Sequence, residues 1–249
     1  MNRGTLITAL ALLLPLPTFA QSSKTPIQKR GKFSRDAISI WGQLGRQGIL
    51  EIRSRNQEKI IVVKYGEEKE PILKYFAKVY VVVGGKQFVT DIGDLVGCEV
   101  AWAPDSKAFF VTYSDGGAVG TYHTEVYYVE ETGLRIEEPT GQVQKDFHSK
   151  PPVCFEPEDP NIAAITWVGS SRRLLVAAEI LPHSICEGMG TFKAYEISLP
   201  EGKILRKYGQ LKAKRLFWTH LGPELRNASD ECILNPKSCE IPALHPKPH

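Results

Sequence analysis

Apolar and polar residues alternate in short bursts along most of this chain. The runs GILEIRS (48–54), KIIVVKY (59–65), AKVYVVV (77–83) and KQFVTDI (86–92) are rich in Val, Ile, Tyr and Phe. CEVAWA (98–103), KAFFVTY (107–113), EVYYVEE (125–131), AAITWVG (163–169), RLLVAAEI (173–180) and KAYEISL (193–199) continue the pattern. Gly, Asp, Asn and Pro separate them, and runs of this length and composition predict strands joined by turns. Helical spacing enters only near the C-terminus, at Ala213, Phe217 and Leu221, and Pro223 suits the first turn of a further short helix.

The strands repeat as a group. VAWAPDSKAFFVT (100–112) aligns without gaps on ITWVGSSRRLLVA (165–177), so that Trp102 meets Trp167 and Val111 meets Val176. GTYHTEVYYVEETGLRI (120–136) then matches GTFKAYEISLPEGKIL (190–205), with turn glycines at Gly133 and Gly202. A fainter copy precedes them in EIRSRNQEKIIVV (51–63) and KVYVVVGGKQF (78–88). Each copy reads strand, tight polar turn, strand, longer loop, strand, tight turn, strand. In the turn of WAPDSKAFF, Pro104 presets φ and Asp105 is placed to accept from the backbone that follows it. Trp102, Phe109 and Val111 are then predicted as packing residues between repeats.

W-x-P-D-S-K-x-F-F-V followed by V-Y-Y-V-x-x-x-G resembles the TolB-type and WD40-like β-propeller repeat. The resemblance implies an all-β fold of antiparallel four-stranded blades that serves as a scaffold for binding proteins or peptides. Three copies are visible, fewer than a closed propeller requires. The expectation is therefore a partial or small propeller over residues 37–210, followed by a short helical, disulfide-closed extension over 211–249.

The N-terminus changes the compartment. MNRGTLITALALLLPLPTFAQ has one basic residue, an apolar core from Leu6 to Leu16 and small residues before Gln21, which predicts a secretory signal peptide over residues 1–20. Residues 21–36 are polar and basic without apolar period and are expected to form a disordered leader. The mature chain is thus expected to be secreted or periplasmic, with no membrane span. Thirty-one basic against 28 acidic residues give a net charge of +3, too balanced for a phosphate-binding stripe, so nucleic acid is disfavoured as a partner. Five cysteines in an exported chain predict two disulfides and one cysteine left over.

Blade connectivity puts tight turns at one end of the sheets. At the other end fall the loops SDGGAVG (114–120) and EILPHSICEGMG (179–190) and the connector HSKPPVCFEPEDPN (148–161). Loops on a rigid β scaffold are where binding residues concentrate. The candidate contacts are Tyr113, Asp115, Tyr122 and His183, and the partner is expected to be a protein or a cell-envelope component, with self-association as a further option. Cys154 and Cys186 share this end and are expected to pair, as are Cys232 and Cys239, although four cysteines allow three pairings. Cys98 is the odd one, expected to be buried at a strand start. The competing reading is an envelope hydrolase or metal-dependent enzyme using His148, Cys154, His183 and Cys186. Oxidised cysteines and the lack of paired C-x2-C or H-x3-H spacing weigh against it. No G-x-S-x-G, P-loop, H-E-x-x-H or D-x-D-x-D-G pattern is present, so no catalytic residue, metal or cofactor is assigned.

Overall fold

The computed structural model of the chain describes residues 29–40, 48–65, 77–92, 97–114, 120–148, 159–182 and 188–228. Strand β1 (Ile38–Ser39) is followed by β2 (Gly48–Arg53), β3 (Lys59–Tyr65), β4 (Ala77–Val83) and β5 (Lys86–Val89). Next come β6 (Glu99–Trp102), β7 (Ala108–Ser114), β8 (Tyr122–Glu130), β9 (Gly133–Glu137) and helix α1 (Gly141–His148). β10 (Asn161–Trp167), β11 (Arg173–Glu179), β12 (Phe192–Ser198) and β13 (Ile204–Gly209) lead into α2 (Gln210–Phe217) and α3 (Pro223–Asn227).

The strands form three antiparallel sheets, each built from consecutive strands, and each sheet corresponds to one sequence copy. The first is β2-β3-β4-β5, the third is β10-β11-β12-β13, and the second is β6-β7-β8-β9 with β1 added to its inner edge. Turn chemistry fixes the registers. Gly84 and Gly85, with φ of 54° and 77°, make the two-residue hairpin between β4 and β5, the geometry that matches strand twist and that only glycine adopts without cost.

Strand alternation gives every sheet two faces, and the three sheets stack face to face. Ile61, Val63, Val79 and Val81 of the first sheet pack on Phe109, Val111 and Tyr127 of the second. There the Phe109 and Tyr127 rings stack at 4.9 Å. From its other face the second sheet turns Phe110 and Val126 onto Leu174, Val176, Tyr195 and Ile197 of the third. Burial of large apolar side chains on both faces of the middle sheet supplies the main stabilisation, about 1.5–3 kcal/mol for each such side chain.

Bonds at equivalent positions repeat across the two seams. The Trp102 indole N–H donates to the carbonyl of Ile52 at 2.9 Å, and the Trp167 indole N–H donates to the carbonyl of Ala101 at 3.1 Å. In each case the acceptor lies one residue before the Trp position of the preceding sheet. The tight turns interlock in the same way. Asn56 N donates to Ser106 Oγ, and one turn further on Ser171 donates from N and Oγ to Asp105 Oδ2 at 3.1 and 2.8 Å. Asp105 also accepts from Lys107 N, as its turn position predicts. Partial burial pushes the Asp105 carboxyl up, but these donors outweigh it and hold the group below its ordinary range. Gln57 and Ser106 share a left-handed φ, 65° and 58°, at the same repeat position.

Residues 29–40 depart from the expected leader. They cross the inner edges of the second and third sheets, with Phe33 and Ser34 fully buried. Ser34 Oγ donates to the carbonyl of Ile165 at 2.6 Å, while Gly222 N donates to that of Phe33. The expectation of disorder fails over Lys29–Asp36 because one aromatic and one serine, invisible to periodicity, find tertiary partners there. Helix α1 also escaped the periodicity reading. It offers only Val143 and Phe147 to the core, too few positions to show a repeat. In the C-terminal part α2 and α3 form where helical spacing was read, with Pro223 in the first turn of α3. Ala213, Leu221 and Leu225 cover the outer face of the third sheet.

The Asp105–Ser171 contact is expected to couple the second and third sheets by about 1 kcal/mol in a double-mutant cycle of Asp105→Ala and Ser171→Ala, read by urea unfolding. Additive single-mutant effects would show that the turns touch without holding each other.

Candidate binding surface

Antiparallel order sorts the strand ends. β7 and β11 end, and β6, β8, β10 and β12 begin, at one end of the stack, opposite the tight turns. Tyr113 and Tyr122 both stand there, flanking the 115–121 loop, with Ser114 paired to Tyr122 and Tyr113 to His123. Asp115 and His183 lie outside the described residues, as do Cys154, Cys186, Cys232 and Cys239. Cys98 sits buried immediately before β6, within the seam of the first two sheets. Of the four His and Cys residues in the enzyme reading, only His148 is described, and its Nε2 lies 3.0 Å from Asp159. Among the described residues no three His, Cys, Asp or Glu side chains converge as a metal site.

The two tyrosines differ in role. Tyr122 is 4% exposed, with its ring edge-on to Phe33 at 4.7 Å and Lys32 Nζ 4.8 Å above it. It is a packing residue rather than a contact for a partner. Gly97, at φ 68°, passes so close that a Cβ there would come within 2.5 Å of the phenol oxygen. Tyr113 is half-buried and donates to Glu125 Oε1 at 2.8 Å.

Glu125 opens a polar network on the face of the second sheet that meets the first. The Tyr127 phenol lies 2.8 Å from Glu125 Oε2 and 2.7 Å from Asp91 Oδ1. A phenol carries one proton, so it cannot donate to both carboxylates at once. Burial, followed by these acids, pushes the Tyr127 phenol up, and burial with the Glu125 bond does the same to Tyr113, so both remain donors through neutral pH. The single Tyr127 proton therefore serves one of the two carboxylates at a time, within the seam of the first two sheets. Beside them runs a groove of about 410 Å3 between the outer edges of the first two sheets. It is lined by Gln87, Phe88, Val89, Thr90, Asp91, Leu134 and Ile136. Val89 and Ile136 are 73% and 39% exposed, so apolar surface adjoins the acids. The sequence reading missed Glu125 and Asp91, since nothing in a linear pattern places residues 34 positions apart around one phenol.

An inner cluster lies behind this surface. Glu99 accepts from Phe33 N and Ser34 N, both at 3.2 Å, tying the crossing segment to β6. Burial pushes its carboxyl up to about 8, against the pull of those N–H donors and of Lys32. Glu179 accepts from Asn161 Nδ2 at 3.0 Å, and Asn161 Oδ1 takes the N–H of Tyr122. Burial pushes Glu179 up to about 7, with Asn161 opposing and the Glu224 charge adding to the rise. These groups are bonded to the fold on every side described, so their role is to fix the strand ends.

No family model, curated protein or solved structure matches the chain.

The raised Glu179 value has a defined consequence for stability. Below its ordinary value of 4.5 both folded and unfolded chains keep the proton. As pH rises from there to about 7 the unfolded chain ionises first, so native stability falls, by up to about 3 kcal/mol. Glu179→Gln keeps an oxygen for Asn161 and cannot ionise. Its melting temperature relative to wild type should therefore climb between pH 4.5 and 7; a constant difference would assign the group an ordinary pKa.

Proposed function

We propose that the chain is an exported, non-enzymatic binding protein whose three stacked sheets form a partial β-propeller. Residues 1–20 act as its secretory signal. The loop end and the adjoining groove engage a protein or cell-envelope component. The observation that carries this reading is the Tyr113–Glu125–Tyr127–Asp91 network beside the exposed Val89 and Ile136. Rigid carboxylates next to apolar surface recognise a partner segment that pairs Lys or Arg with aliphatic or aromatic side chains, the mixture that forms interface centres. Among the described residues the flanking strands β5 and β9 are sheet edges, paired on one side only, and so suit an extended segment.

Affinity capture from the native cell envelope tests the reading. Glu125→Gln with Tyr113→Phe leaves the apolar seam intact, so the fold should persist while capture falls at least about tenfold. Added salt should weaken wild-type capture in the same direction. Capture that ignores both the variant and the salt would move the contact away from this surface.

Export has its own readout. N-terminal sequencing of the secreted chain should start at Gln21, and non-reducing peptide mapping should join Cys154 to Cys186 and Cys232 to Cys239. An intact Met1 would overturn the cleaved signal, and cysteines recovered as thiols would place the protein in a reducing compartment.

A further inference from the structure

Among the described residues, one sheet face in the stack is built like the buried ones and has no sheet against it. The cross-strand pair Ile60–Val82 of the first sheet stands at the register of Phe109–Tyr127 in the second and Leu174–Ile197 in the third. Likewise Val62 matches Val111 and Val176. The second- and third-sheet members are buried against the preceding sheet. Ile60, Val62, Tyr80 and Val82 are only half-buried and belong to none of the core clusters formed by the described residues. Ile49 and Val89, 63% and 73% exposed, extend the same face. Charged side chains ring it: Glu51 and Arg53 on β2, with Lys64 above the Tyr80 ring on β3. An apolar centre with a charged rim is interface anatomy.

We infer that this face pairs with the same face of a second copy, making a closed two-fold dimer. Two observations select that occupant. Head-to-tail growth would need the outer face of the third sheet, which Phe33, Ala213, Leu221 and Leu225 already cover. The first sheet also carries Arg53 where the later sheets carry Trp102 and Trp167, so it lacks the indole that grips a preceding sheet. Only a self-complementary contact leaves neither copy with an open sheet face, and it ends at two. Strands of six, seven, seven and four residues, set about 4.8 Å apart, give a face of roughly 380 Å2 before side-chain relief. Two such faces lie below the size of standard stable interfaces, so the dimer is a weak, reversible one.

Sedimentation velocity on the chain as secreted, from about 1 to about 200 μM, should show a reversible monomer–dimer equilibrium. The rim carries more positive than negative charge, so association should strengthen with salt, opposite to the partner capture described above. Val62→Glu should abolish the dimer. Val89→Glu, at a site too exposed to affect folding, should weaken it about tenfold or more. A monomer at every concentration, open-ended polymers, or a dimer indifferent to both substitutions would each overturn the inference. Val89 also lines the partner groove, so partner capture is read on Val62→Glu, whose substitution lies outside that groove; this tells failure of the dimer from failure of the binding surface.

Discussion

Everything in this fold depends on the middle sheet having two buried faces. A single four-stranded sheet cannot stand alone in water, because one apolar face remains wet. The first sheet solves this on one side of the second sheet and the third on the other, through Phe109 and Tyr127 in one seam and Phe110 and Val126 in the next. Apolar contact is not directional, so the stacking angle and offset need something else. The indole N–H groups of Trp102 and Trp167 supply it, each reaching the backbone of the preceding sheet at the same repeat position. The interlocked turns repeat the restraint at the sheet ends.

Polar groups inside the stack follow from the same geometry. β10 is an edge strand, and its inner edge would leave backbone groups unpaired in a dry seam. Thr112 and Thr124, where the first sheet carries Val63 and Val79, accept from Ala164 N and donate to the carbonyl of Ile162. Glu99 does similar service for the crossing segment, and accepts the desolvation of a carboxyl in exchange for two satisfied N–H groups. Such residues look like substitutions of the repeat, yet each answers a donor or acceptor that a perfect repeat would strand.

Function enters where the repeat is interrupted. In the third sheet Tyr195 holds the register that Glu125 holds in the second, and it is buried. Glu125 instead gathers two phenols beside Asp91 in the seam, at the margin where the first sheet is shorter than the second. A scaffold that has settled its packing through other residues is free to carry acids at this point. The crossing segment and helices α2 and α3 close the opposite side of the stack, which makes the molecule asymmetric along the stacking direction.

The sequence by itself determined the strands, the tight turns and the three-fold repetition, because period-two burial and turn residues act within a few positions of one another. Trp102 and Phe109 were legible as packing residues, and Pro223 as a helix start, for the same reason. Tyr122 was misread as a contact because a loop-end position does not reveal that Phe33, 89 residues earlier, closes over it. The polar surface was half legible: Tyr113 could be named, but Glu125 and Asp91 join it only when two sheets meet. The order Lys29–Asp36 adopts, the buried state of Glu99 and Glu179, and the half-buried outer face of the first sheet were decided by tertiary structure alone. Each depends on which distant surface arrives next to it, and local pattern carries no record of that.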